Sequence, residues 1–325
     1  MSRRGDRKRA LLLLVAVLLA SPTVAEERVW RLGVLTPGNW AESATYHVMV
    51  PELGRRGFVE GRNLVVLPYW GSGSDPAPLA RAARRLAAAH PDVIAAVSPE
   101  AVQAARAAAP RTPIVAAFED DPVADGVAKS LARPCGMVTG IAMLASEGDA
   151  KRAELLHDAM PSARRIGLLI DGTHPSGVLD YVKRATGDLG IEVIGFKVES
   201  EAEYRKAFDA MREARIDGVV IAASPLFATD AAQLATLAAE RRLPTVCQWR
   251  KMAAAGCLIS YGPDLAELYV RAADFVVRLF AGDRPAGMPF EQPTHFEMAV
   301  NGKTAASIGV ALLPSFLTRA DEVIE

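Results

Sequence analysis

The sequence is poor in the features that mark most functional classes. Aromatic residues make up only 6% of its 325 residues, too few for an extended platform of base-stacking side chains. Neither sign of charge is in excess: 37 lysines and arginines face 38 acids, a formal net charge of −1. No global basic field therefore draws the chain to nucleic acid. There are three cysteines, Cys135, Cys247 and Cys257. An odd count leaves at least one free thiol, and the single close pair, Cys247 and Cys257, is open to a disulfide or to two buried apolar-like thiols. No G-x-G-x-x-G follows either of the two candidate first strands, whose loops read TPGNW and DGTHP, so a dinucleotide site is not indicated. The sequence also lacks a P-loop, an H-E-x-x-H and a G-x-S-x-G. Its five histidines, His47, His90, His157, His174 and His295, have no metal-ligand spacing. No cofactor and no metal is expected.

What is present is ample apolar material, 50% of residues against 23% charged. This excludes disorder as the main state and suggests about two domains by the rough rule of one per ~150 residues. The N-terminus is separate in character. Residues 1–10 carry five basic residues and one acid, LLLLVAVLLA follows at 11–20, and SPTVA at 21–25 offers small residues at Thr23 and Ala25. This is the order of a secretory signal peptide cleaved near Ala25. Ten apolar residues fall short of the roughly 20 needed to span a bilayer, though an uncleaved anchor is the alternative reading. Arg3–Arg4 hints at twin-arginine export, and the Sec route stays open. Removing residues 1–25 leaves 32 basic against 37 acidic residues, a net −5. The expected location of the mature chain is the periplasm.

The body alternates short apolar runs with Ala- and Arg-rich segments of helical period. Strands are predicted at RLGVLT (31–36), LVVLPYW (64–70), DVIAAVS (92–98) and TPIVAAF (112–118). Helices are predicted over 42–56, 78–90 and 100–109. Pro68 marks 64–70 as an edge or a strand end. Buried-type strands alternating with helices indicate a parallel α/β sheet. The pattern then restarts: RIGLLID (165–171) echoes RLGVLTP, IEVIGFKV (191–198) echoes LVVLPYW, and DGVVIAASP (217–225) echoes DVIAAVSP. RLPTVCQW (242–249) echoes RTPIVAAF, and GCLISYG (256–262) echoes GMVTGIA (136–142). Five paired elements in one order, 120–134 residues apart, mean two similar lobes rather than a solenoid. The expected divisions are a signal peptide at 1–25, a first lobe at 26–145, a second at 146–270, and a crossover and C-terminal segment at 271–325. That segment holds a short strand near 295–301 and a helical end, PSFLTRADEVIE, and packs on both lobes. The fold class is α/β, two doubly wound parallel-sheet lobes around a cleft.

In open α/β sheets, ligands bind beyond the carboxyl ends of the strands. The strand-end loops read TPGNW, SPE and FEDDP in the first half, and DGTHP, SP, QWRK and SYGPD in the second. Candidate ligand contacts are Asn39, Trp40, Ser98, Phe118 and Asp121, then Asp171, Thr173, Ser224, Gln248 and Tyr261. Ser98 and Ser224 hold equivalent places before helices and either cap them or donate to a ligand anion. Asp121, within Glu119-Asp120-Asp121, meets a ligand cation or serves as a turn cap. Trp40, Phe118, Trp249 and Tyr261 enclose an apolar or aromatic ligand or pack between the lobes. His174 falls in a cleft loop as a polar residue.

These segments resemble the substrate-binding proteins of ABC importers, in the tryptophan/tyrosine-type group. The resemblance spans about 29–325 and is carried by RLGVLTPG, GFVEGRNL (57–64), DPV (121–123), SLARPCGMVTG (130–140), LISYGPDL (258–265), QPTHFEMAVNGKTAASIG (292–309) and the closing RADEVIE. It implies the type I periplasmic-binding-protein architecture, with two lobes joined by three crossings. It also implies capture of a small solute by lobe closure and delivery to an inner-membrane ABC permease, by a monomer. Asp121 and Ser260-Tyr261-Gly262 match the family pattern. Pro134-Cys135-Gly136-Met137-Val138 departs from the family's Pro-Gly-Gly-Asn-Val, Asn39 stands where an aspartate is common, and Asp171-Gly172 replaces Asn-Pro. The expectation is a non-catalytic receptor for a small carboxylate-bearing solute, an amino acid or aromatic acid. A sensor passing ligand state to a membrane receptor is the alternative. A two-cysteine racemase of the aspartate/glutamate type, using Cys135 and Cys257, is disfavoured, because neither cysteine is followed by Asn-Thr.

Overall fold

A computed structural model describes residues 28–36, 43, 45–71, 76–119, 121–172, 174 and 177–325. The expected signal peptide lies outside them. The first sheet contains β1 (Trp30–Thr36), β2 (Leu64–Trp70), β3 (Val93–Val97), β4 (Ile114–Glu119) and β5 (Val138–Ala142). Their order is β2-β1-β3-β4-β5, all parallel. The second contains β6 (Arg165–Asp171), β7 (Glu192–Val198), β8 (Gly218–Ile221), β9 (Thr245–Cys247), β10 (Ile259–Pro263), β11 (Phe296–Asn301) and β12 (Glu322–Ile324). Read from β7, its order is β7-β6-β8-β9-β10-β11-β12. The five echoed segments thus hold the same places in both sheets. β11 and β12 break the parallel pattern: β11 runs antiparallel to β10, and β12 runs parallel to β11.

Chemistry explains the strand positions. β5 and β8 are buried at every residue, as strands covered on both faces must be. β2 carries Pro68 and lies at the sheet edge, where a missing N–H leaves no ladder bond unmade. The helix Pro99–Ala108 starts with a Ser98 cap and proline in its first turn, and buries Ala101, Val102 and Ala105. Helix Leu265–Phe280 is capped by Asp264, whose Oδ1 accepts from Ala266 N at 2.8 Å.

The lobes have separate cores. The helix Ala145–Ala159 packs with β6, β8, β9 and β10 residues of the second lobe. Helix Leu265–Phe280 instead returns to the first: Leu268, Ala272, Phe275 and Val276 share a core with Leu32, Val34, Val93 and Val115. Residue 270, where the second lobe was expected to end, therefore falls inside a helix of the first lobe's core. The chain crosses between lobes after β5, after β10, and between Glu291 and β11. Glu291 still belongs to the first lobe, since its N–H donates to Gly140 O at 2.9 Å and Ala142 N donates to its carbonyl at 2.8 Å.

The C-terminal end corrects one expectation. Only Pro314–Leu317 of PSFLTRADEVIE is helical, and Glu322–Ile324 is a strand. Asp321 turns the chain into it, its carboxylate accepting from Met298 N at 2.7 Å and its own N–H donating to Met298 O at 2.8 Å. Edge pairing to β11 outweighs local helical preference over so short a run. The segment expected as a helix over 42–56 contains a π-helical turn, Thr45–Met49, running into the helix Val50–Arg55.

Candidate functional site

Strand order reverses between β1 and β3, and again between β6 and β8. These are the switch points at which doubly wound sheets open a crevice for ligand. Ser98 follows β3, Asp171 ends β6, and Ser224 follows the end of β8. Asn39, Trp40 and Thr173 lie outside the described residues, as does Asp120. Phe118 is the fifth residue of β4, at its carboxyl end.

Ser98 is 3% exposed. Its Oγ accepts from Ala101 N at 3.2 Å, capping the helix. Its backbone has φ 150° and ψ 161°, a region almost reserved for glycine that costs on the order of 1–3 kcal/mol. The hydroxyl proton has no acceptor among the described residues. Ser98 therefore caps with a lone pair and keeps its donor.

Ser224 caps as well, accepting from Leu226 N at 3.1 Å and Phe227 N at 3.5 Å, but its proton goes to Asp171 Oδ2. Of the two roles open to this serine, the structure shows the cap, and its one proton is committed inside the protein. The other Asp171 oxygen, Oδ1, lies 2.9 Å from His174 Nδ1. The same ring nitrogen is 3.2 Å from the Asp171 amide N, so it donates to the first or accepts from the second according to tautomer. His174 stacks on Phe227 with ring centroids 6.4 Å apart. Phe227 in turn packs on Tyr204 at 6.0 Å. Burial and a 2.7 Å hydrogen bond to Asp230 push the Tyr204 phenol far above its ordinary value. The sequence placed His174 in the cleft loop; its three-residue spacing from Asp171 was the only signal that they would meet.

Beside this network, the ends of β9 and β10 are less committed. Gln248 is 6% exposed, and beside it the buried Ser260 hydroxyl has no hydrogen-bond partner among the described residues. Gly262 lets the two strand ends come this close: a Cβ there would sit 2.2 Å from Gln248 O. Trp249 packs against buried residues of both lobes. Tyr261 stacks on Phe296, with centroids 5.6 Å apart and planes 16° apart. Across the strand ends, Asp121 Oδ1 accepts from Val123 N and Ala124 N, each at 3.0 Å. One carboxylate oxygen is thus a turn cap, and Oδ2 is left over.

The cysteines take no part. All three are free thiols. Cys247 and Cys257 are buried, and both thiols point at Ile259 O, at 3.4 and 3.2 Å. Burial, then the neighbouring Cys257, pushes the Cys247 thiol well above its ordinary value, the opposite of what a nucleophile needs. Cys135 and Cys257 precede β5 and β10, at the strand ends remote from Ser98 and Asp171, so the racemase arrangement is not formed. Among the described residues, no group of three or more His, Cys, Asp or Glu side chains could hold a metal ion. Nor is any described helix long and apolar enough to cross a membrane.

Comparison with known proteins agrees with this geometry. Residues 49–324 match a family model described as ABC transporter substrate binding protein. The tyrosine-binding protein of Clostridioides difficile (strain R20291) is 22% identical over 270 residues, covering 81% of this chain and 76% of that protein. Two solved structures superpose closely. A conserved domain protein from Vibrio cholerae O1 biovar El Tor N16961 gives a TM-score of 0.83 at 22% identity, covering 91% of this chain and all of that one. The ABC domain from Streptococcus pneumonia in complex with L-Trp gives 0.80 at 21% identity, covering 90% of this chain and all of that one.

Proposed function

The chain belongs to the ABC transporter substrate-binding protein family, with the type I periplasmic-binding-protein fold, and from that premise we propose that it captures an aromatic amino acid outside the inner membrane for an ABC permease. The observation that carries this reading is the pairing of uncommitted polar groups with a stacked aromatic surface at the strand ends. Ser98, buried at the end of β3 on the first lobe, holds a free hydroxyl proton, and the second lobe offers Gln248, beside Gly262, and the Tyr261–Phe296 stack. A buried polar group without a partner is costly unless a ligand or ordered water supplies one.

In this reading Ser98 donates to the ligand carboxylate, and Gln248 hydrogen-bonds the same polar end. The Asp121 oxygen left over from its turn meets the ammonium. Tyr261 packs on the side chain of the ligand. Asp171 and Ser224 support the wall through each other. The chain's three crossings form the hinge, and closure about it is the signal a permease reads. The relative that binds tyrosine and the fold neighbour holding L-Trp support the aromatic amino-acid class. Secretion with cleavage near Ala25 places a monomeric receptor in the periplasm, which the mass and location of the mature chain check.

Thermal unfolding in the presence of single compounds tests the ligand. A ligand at 100 times its Kd stabilises the native state by about 2.7 kcal/mol. L-tryptophan or L-tyrosine should therefore raise the melting temperature by several degrees, with indole-3-acetate and aliphatic amino acids giving less. No shift with any aromatic amino acid overturns the reading.

A further inference from the structure

The helix Ala145–Ala159 opens the second lobe directly after the first crossing, and it buries an ion pair in its first turns. Asp149 is 0% and Arg152 1% exposed. Arg152 donates twice to one oxygen, Asp149 Oδ1, from Nη2 at 2.5 Å and Nε at 3.2 Å. Asp149 Oδ2 is buried without a hydrogen-bond partner. Such a pair is a poor way to hold a helix on a sheet, because desolvating two charges offsets their attraction and apolar residues of similar volume do as well or better. The helix has those residues already in Ala150, Ala153, Leu155, Leu156 and Ala159. Gly148 leaves room for the guanidinium, since a Cβ there would stand 3.2 Å from Arg152 Nη1.

What the pair does that apolar residues cannot is end on two backbone groups. Asp149 Oδ1 accepts from Ala223 N at 3.3 Å, and Arg152 Nη1 donates to Tyr261 O at 2.9 Å. Ala223 precedes Ser224 after β8, and Tyr261 sits in β10 just before the second crossing. Between them lies β9, which leads into Gln248. The pair therefore spans the carboxyl ends of three adjacent strands. We propose that Asp149 and Arg152 are positioning residues for ligand capture, a buried brace that fixes the Ala223–Ser224 turn against Tyr261 and so preforms the second-lobe wall before the lobes close. This rests on the reading that these strand ends hold the ligand.

The test separates positioning from mere structure through the double variant Asp149→Leu/Arg152→Met, measured beside each single variant. Removing one partner leaves an uncompensated buried charge, so each single variant loses melting temperature and affinity together. The double variant removes both charges and should recover most of the melting temperature. Its affinity for L-tryptophan or L-tyrosine, whichever wild type binds more tightly, should stay at least tenfold weaker. Wild-type affinity in a stable double variant overturns the brace. If the double variant does not fold, Arg152→Lys serves. It keeps the charge but not the fork that reaches both Asp149 and Tyr261, and several-fold weaker binding is expected, with unchanged binding overturning the proposal. If wild type binds no aromatic amino acid, the functional reading fails while the brace keeps its own readout. Hydrogen exchange at the Ala223 amide, whose acceptor is Asp149 Oδ1, should be at least tenfold faster in the double variant, or in Asp149→Leu if the double variant does not fold, and an unchanged rate overturns it.

Discussion

Ser98 and Ser224 stand at the same place in the two lobes and do different work. Both follow the third strand of their half, both precede a proline, and both cap a helix. Ser224 has a relaxed extended backbone, φ −148° and ψ 138°, and gives its proton to Asp171. Ser98 sits in a glycine-type conformation and keeps its proton. In the sequence, the place that Asp171 holds at the end of RIGLLID is taken in the first half by Pro37, at the end of RLGVLTP, which carries no carboxylate. Repetition has kept the cap while the rest differs: Ser224 belongs to a closed network, and Ser98 keeps an open donor. A strained backbone at Ser98 is consistent with that division, since strain concentrates where a ligand must be met.

The sharpest way to break the comparison is at Asp171. Asp171→Ala removes the acceptor for Ser224 and a contact of His174 in a buried setting. Each stranded polar group costs about 1–3 kcal/mol, so a loss of about 3 kcal/mol in unfolding free energy is expected by chemical denaturation. A variant as stable as wild type would show that the second-lobe network is not structural.

The serines come next, and their effects should run in opposite directions. Ser98→Ala loses the cap, about 1 kcal/mol, and a hydrogen bond to a charged ligand group, about 1.5–3 kcal/mol. Titration calorimetry should therefore show roughly tenfold weaker binding of an aromatic amino acid with a small stability loss. Ser224→Ala should lose more stability and less than threefold in affinity. Equal effects on affinity would erase the distinction between the lobes.

Much of this was legible in the sequence. The five echoed segments gave the strands, their parallel sense and the two-lobe plan, because buried parallel strands write themselves as continuous apolar runs. The strand ends followed from that plan, so the placement of Ser98, Gln248 and Tyr261 at or beside them could be read in advance. Four things could not be read. The return of helix Leu265–Phe280 to the first core depends on which lobe its apolar face meets, and its periodicity is the same in either case. The Asp171–His174–Ser224 network joins residues 53 apart, and whether a serine proton goes inward or outward depends on backbone geometry. The Asp149–Arg152 pair reads as an ordinary i,i+3 surface pair until burial is known. Strand Glu322–Ile324 was missed for a related reason, since three residues at a sheet edge owe their conformation to a neighbour 23 residues away.

The smallest expected effect extends the two-lobe comparison to the cysteines. Cys135 and Cys257 precede the fifth strand of their halves, yet Cys135 is exposed with φ 60°, while Cys257 is buried and hydrogen-bonded to Thr245 O and Ile259 O. Reaction with an alkylating reagent needs both access and thiolate. Cys135 has access. Cys247 and Cys257 do not, and the raised value of the Cys247 thiol leaves almost no thiolate near neutral pH. Native protein should take up one label by intact mass at pH 7.5, on Cys135, and denatured protein three. Ligand should not change the native count, because none of these thiols is assigned to the cleft. Labelling of Cys247 or Cys257 in the native state, suppressed by an aromatic amino acid, would mean that the second lobe opens at β9 and β10. Its wall would then be formed by the ligand rather than before it.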